Sequence, residues 1–215
     1  MPPRAAQRKA DVSRSQILLA AAKLFSQKGY FASSVREVAE NANMKAGSVY
    51  YHFESKEQIL DGVLNTGILL ITQAFEQALA GLPAHASFDD KFRAGVRAHL
   101  HTLLKDSDHA SAYIRIYGQL PPLIKRRSHE VRRAYQQLWI ELLATGQSDG
   151  AIRTDLDLKL MVPLILGMLN RTMEWYNPKH ISLDDLVETS LALLLSGIAA
   201  KASVAKPRGF VPSYS

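Results

Sequence analysis

The chain has 215 residues, 47% of them apolar and 21% charged, so it can bury a core and is neither a disordered nor a fibrous sequence. It has no cysteine, which excludes disulfides, thiol catalysis and thiolate metal sites. The net charge is +6, and residues 1–58 hold nine Lys/Arg against five Asp/Glu, so +4 of that excess sits on about a quarter of the chain, which reads either as a polyanion-binding end or as a soluble basic surface.

Apolar runs reach about ten residues, half of the roughly twenty that a bilayer-spanning helix needs. The first residues, MPPRAAQRKADVSRSQ, lack the apolar core of a secretory signal, so no membrane partner and a cytoplasmic location are expected. Apolar positions recur at helical spacing almost throughout and nowhere alternate in strand fashion, which predicts an all-α fold.

In chain order, residues 1–11 read as a flexible basic arm. Ser13 and Gln16 form a capping-box pattern for a first helix, which Gly29 stops. Ser34 and Glu37 form a second box for a short helix, and Asn43 suits a left-handed turn. A third short helix covers about Lys45–Tyr51, and Ser55 with Gln58 caps the fourth, residues 56–81. Longer helices follow at 87–105, 109–118, 128–145, 155–176 and 182–203. The chain therefore divides into a unit of short helices, 12–54, and a unit of longer helices, 55–203, with a frayed tail at 204–215.

Three short helices with a tight turn before the third match a helix-turn-helix, whose third helix enters the major groove. The segment MKAGSVYYHFESK (44–56) has the chemistry for this. Ala46, Gly47 and Ser48 are small enough for close approach to base edges. Tyr50, Tyr51 and His52 offer donors to phosphate oxygens. Lys45 and Lys56 bring full charges, and Arg36 can span to a guanine edge or a phosphate. Arg4, Arg8 and Lys9 reach a groove or serve only as a solubilising tail. The competing readings are packing for Tyr50, capping of its own helix for His52 and a solvated charge for Lys56.

Residues 34–58, SVREVAENANMKAGSVYYHFESKEQ, resemble the DNA-binding domain of the tetracycline-repressor-like bacterial regulators, with Ala39, Ala42, Gly47, Tyr50, His52, Phe53 and Lys56 in register. The resemblance implies an N-terminal DNA reader, a C-terminal helical sensor, a homodimer and a double-stranded DNA operator. It places Arg36, Lys45, Gly47, Ser48, Tyr50, Tyr51, His52 and Lys56 at DNA-contacting positions, with Lys45 and Ala46 setting sequence preference. Two departures stand out. Asn43 replaces the usual turn glycine, and Lys45 replaces the usual Ser/Thr cap, at a local cost of about 1 kcal/mol.

The segment LKLMVPLILGML (158–169) is apolar nearly all round, so it needs burial on more than one side. Together with the stripe at Leu183–Ile198 it predicts a two-fold four-helix bundle through 155–176 and 182–203; the alternative is one intramolecular core. Tyr113, Arg115, Tyr117, Trp139, Met161, Met168, Arg171 and Trp175 read either as a small-molecule pocket or as a core with snorkelling tips. Arg171 and Trp175, four residues apart and beside Asn170, suit a ligand with a phosphate and a flat ring, or else a cation–π pair holding the dimer. The stretch 167–180 resembles the sensor helix of family members that control fatty-acid or steroid-ring degradation and answer to acyl-CoA thioesters. KRRSHEVRR (125–133) reads as cations at a pocket mouth or as a solvated face.

His99 and His101 point apart on a helix, and no catalytic or cofactor motif occurs, so neither enzyme activity, metal nor cofactor is expected. The sequence therefore predicts a dimeric ligand-responsive repressor on a near-palindromic operator, with an acyl-CoA effector. A drug-like or aromatic ligand, or a helical protein-binding scaffold, is the alternative.

Overall fold

The structure, a computed structural model, describes residues 4–106, 108–126 and 129–198, and every regular element in them is helical. The N-terminal unit holds α1 (Arg4–Lys28), α2 (Val35–Asn41) and α3 (Ala46–His52). The larger unit holds α4 (Lys56–Ala80), α5 (Phe88–His101), α6 (Asp108–Gln119), α7 (Pro122–Lys125), α8 (His129–Ser148), α9 (Leu158–Arg171) and α10 (Leu183–Ile198).

The capping rules place several helix starts correctly. Ser34 caps α2 with Glu37 closing a full capping box, Ser55 accepts from the Gln58 amide at the start of α4, and Ser87 with Asp90 does the same for α5. Asn43 takes φ 54°, the left-handed turn expected of it. Lys45 occupies the N-cap of α3 with no side-chain cap bond, also as expected.

Four expectations need correction. α1 begins at Arg4, so no arm covers residues 4–11 and Ser13 lies inside the helix. The reason is composition: RAAQRKA consists of strong helix formers, which outweigh a capping pattern. The helix at 87–105 is α-helical only to His101 and widens into a π turn over Thr102–Asp106. The helix at 128–145 runs on to Ser148. The helix at 155–176 ends at Arg171 and tightens into a 3-10 turn over Thr172–Glu174, where the Thr172 hydroxyl donates to the Leu169 carbonyl at 2.6 Å. The tail at 204–215 and the end of the helix at 182–203 lie outside the described residues.

One apolar core runs through both units. Ile17, Ala21 and Phe25 of α1 meet Val38 and Val49, then Ile59, Leu60 and Val63 of α4, all buried. Burial of Val49 anchors α3 and so turns its remaining side chains outward. Deeper in the sensor unit Phe75, Phe92 and Trp139 form an aromatic cluster with centroid separations of 4.9–5.9 Å. At Gly67 of α4 a Cβ would lie 2.5 Å from the His109 carbonyl oxygen and 2.6 Å from Tyr113 Cβ, so α4 and α6 touch there backbone to backbone. Because α6 also packs on α1, the seam joins reader to sensor.

Candidate functional site

The outward face of α3 is polar and open. Lys45, Gly47 and Ser48 are exposed, Tyr50 is 54% and Tyr51 81% exposed, and a Cβ on Gly47 would meet nothing within 4 Å. Ala46 and His52 are half-buried at the edges of that face, with His52 edge-on to the Tyr51 ring at 5.0 Å. Arg36 is exposed on the neighbouring α2. Two large aromatic side chains held in water by a helix whose opposite side is fully buried are poised for a partner. Of the basic N-terminal residues, Arg8 is exposed; the side chains of Arg4 and Lys9 lie outside the described ones.

Lys56 departs from this group. Its ammonium donates to the Ser33 carbonyl at 2.8 Å and the Tyr30 carbonyl at 3.1 Å, and sits 4.4 Å from the Tyr30 ring centroid. The Tyr30 hydroxyl in turn donates to Glu57 at 3.1 Å. The first turn of α4 is thereby clamped to the loop between α1 and α2. Lys56 is thus a structural tie between reader and sensor and not merely a solvated charge. Nearby, Lys28 pairs with Glu37, and this bond together with those from Ser34 draws the Glu37 carboxyl down to about 2.

The second site is a cavity of about 200 Å³ between α4, α5, α6, α8 and α9. Ile68, Ile71 and Leu166 form its apolar wall. The polar wall is a buried relay: His99 Nδ1 lies 2.8 Å from the Tyr135 hydroxyl and His99 Nε2 lies 3.0 Å from Asn170 Oδ1. Burial pulls the His99 imidazole down to about 4 despite the opposing bond to Asn170, so it is neutral at physiological pH. Burial pushes the Tyr113 and Tyr135 phenols well above their usual range, so both stay protonated. At the rim, the Arg132 guanidinium stands 4.6 Å from the Tyr117 ring centroid.

Of the residues expected at a pocket, Tyr113, Tyr117 and Asn170 line it. Trp139 does not; it is fully buried in the aromatic cluster. Met168 is half-buried against the core and also lies off the lining. Arg171 and Trp175 are off it too: Arg171 pairs with Glu174 at 2.7 Å and is largely exposed, and Trp175 is 54% exposed. The i, i+4 spacing failed because the backbone tightens at Thr172, which ends the shared α-helical face. Sequence reasoning missed His99 and Tyr135 as pocket residues. Arg132 belongs to the basic run at 125–133 and stands at the pocket mouth, one of the two readings that run allowed.

A third surface is apolar. Leu160, Leu164 and Gly167 of α9 and Leu193 and Gly197 of α10 are exposed, Leu164 at 73%. The helices thus bury one side each within the chain and leave the other uncovered, which contradicts a single intramolecular core. Among the described residues no group of three His, Asp or Glu is placed to hold a metal, and no helix is long and apolar enough to cross a membrane.

Comparison with known proteins gives two family matches, "Bacterial regulatory proteins, tetR family" over residues 17–63 and "Tetracyclin repressor-like, C-terminal domain" over residues 85–198. The transcriptional repressor KstR2 of Rhodococcus jostii is 28% identical over 195 residues, covering 87% of this chain and 91% of the relative. The fatty acid metabolism regulator protein of Bacillus subtilis is 26% identical over 188 residues, 86% of this chain and 95% of the relative. The crystal structure of AibR with isovaleryl coenzyme A and operator DNA shares the fold, with a TM-score of 0.75 at 20% identity over 85% of this chain and 98% of that one.

Proposed function

Because the chain belongs to the tetracycline-repressor-like family of bacterial regulators, a dimeric, ligand-responsive repressor of transcription, we propose that α3 is its operator-reading helix and the 200 Å³ cavity its effector site. The observation that carries this is the exposed polar face of α3 standing on the fully buried Val49. Lys45 and Ala46, at the leading end, set sequence preference. Ser48, Tyr50, Tyr51, His52 and Arg36 hold phosphates or base edges, and Gly47 allows close approach. The exposed leucine face of α9 and α10 joins two copies, which sets two α3 helices about 34 Å apart on a near-palindromic duplex.

The effector is an acyl-CoA thioester. The cavity is lined mainly by apolar groups and takes the acyl portion, while Arg132 and the basic run at 125–133 meet the phosphates outside it. The likeness to a fatty acid regulator and to a protein crystallised with isovaleryl coenzyme A supports this class over a drug-like ligand. Ligand in the cavity shifts α6 against α4, and the Lys56 clamp passes that movement to the reader. Only a ligand that favours the non-binding spacing releases DNA. The protein works in the cytoplasm as a binder without catalysis.

The experiment is selection of bound fragments from random duplex DNA, followed by competition with CoA thioesters. A selected palindrome released by a thioester is the expected result; a dimer that selects no duplex at low salt removes the reading.

A further inference from the structure

The polar wall of the cavity is rich in unused donors. Neutral His99 carries one N–H. Asn170 Oδ1 only accepts, so that N–H is on Nε2, and Nδ1 accepts the Tyr135 hydroxyl proton. His99 therefore fixes the Asn170 amide by its oxygen and leaves the Nδ2 hydrogens without a protein acceptor among the described residues. Tyr113, buried on the same lining, adds a phenol hydroxyl that stays protonated. A hydrocarbon chain laid here would leave those donors unpaired in an apolar setting, which is costly. Size imposes a second limit. At about 200 Å³ the cavity is smaller than the roughly 300–1,000 Å³ of pockets that enclose drug-sized ligands, which favours a short acyl group over a long chain.

We propose that the acyl group entering the cavity is short and carries an oxo group beyond the thioester, which accepts a hydrogen bond from the Asn170 amide that His99 orients. This deepens, and rests on, the thioester reading above. Asn170 is the specificity-determining residue, and His99 is a positioning residue that acts through it. The Tyr135 hydroxyl holds the other side of the imidazole and so fixes its tautomer.

The test is calorimetric titration of the full-length dimer with butyryl-CoA, acetoacetyl-CoA and palmitoyl-CoA. The oxo thioester should bind about tenfold more tightly than butyryl-CoA, with palmitoyl-CoA weakest. Asn170→Leu should bring the acetoacetyl-to-butyryl ratio to about one. His99→Phe should do the same, and His99→Gln, which still donates to Asn170, should restore most of the preference. The ratio discriminates because a merely structural role lowers both affinities together. Operator affinity of each unliganded variant serves as the check that it folds. Equal wild-type affinity for the two short thioesters, or preference for palmitoyl-CoA, overturns this inference and leaves the thioester reading standing. The same two short chains as N-acetylcysteamine thioesters complete the separation. An oxo preference there with no binding of any CoA form overturns the CoA reading alone, and no binding in either form overturns both.

Discussion

Lys56 gives its charge to two carbonyls across the joint between reader and sensor, so its removal is felt inside the protein before it is felt at DNA. Lys56→Ala should lower stability by about 1–2 kcal/mol in chemical denaturation, since bonds from a charged donor to otherwise buried carbonyls are lost. Operator affinity should fall while the slope of log affinity against log salt holds. A true phosphate contact would instead reduce that slope by about 0.9 with stability intact. His99 makes a prediction of the opposite kind. Its folded value, about 4, lies below the ordinary 6.5, so between those values the unfolded chain takes up a proton that the native one refuses. Stability should therefore fall as pH drops from 6.5 to 4, by on the order of 3 kcal/mol from this group, and level off below. Urea titrations at pH 7 and pH 4.5 read this, and the pH dependence should flatten in His99→Gln; an unchanged slope in that variant would place the acid sensitivity elsewhere. The Glu37 carboxyl, held near 2, loses its pairing only below its ordinary value of 4.5, largely outside the His99 window.

At the scale of elements, α3 and the α4–α6 seam are the informative pieces. α3 starts on a lysine that cannot cap, so Lys45→Ser should slow amide hydrogen exchange over residues 47–50 by restoring about 1 kcal/mol, and should change the sequences recovered by selection. Gly67 permits backbone contact between α4 and α6. Gly67→Ala should force them apart at a cost of about 1–3 kcal/mol and lower the melting temperature; a wild-type melting curve would mean that the seam yields without cost. These elements also show what a sequence discloses. Asn43 in the left-handed turn, uncapped Lys45 and the box at Ser34 all follow from neighbours within a few residues, and each was legible. The open face of α3 stands on one buried position, Val49, that the sequence reading did not single out. The relay at the cavity was not legible: His99 meets partners 36 and 71 residues away on α8 and α9, and periodicity carries no distance across elements. Arg171 and Trp175 misled because a four-residue spacing implies a shared face only while the helix stays α, and Thr172 ends that. Lys56 had the residue type of a phosphate ligand, and only the return of the Tyr30–Ser33 loop showed where its charge is spent.

For the whole molecule, two copies are needed. The uncovered leucines of α9 and α10 lie far along the chain from α3, so a monomer would present one reading helix to a palindrome that needs two. Leu164→Glu should yield a folded monomer by sedimentation and should lose operator binding, although no DNA-facing residue is altered. A dimer that persisted in that variant would move the interface to another surface. Ligand control depends on the same architecture, because the cavity lies between the dimer-forming α9 and the clamped α4. The most direct measurement is footprinting of the wild-type protein and of a Lys45→Ala, Tyr51→Ala double variant on a duplex selected from random sequence. Two protected half-sites about one helical turn apart, lost in the variant while its fold and dimer remain, is the predicted pattern; a single protected site, or equal protection by both proteins, would contradict it.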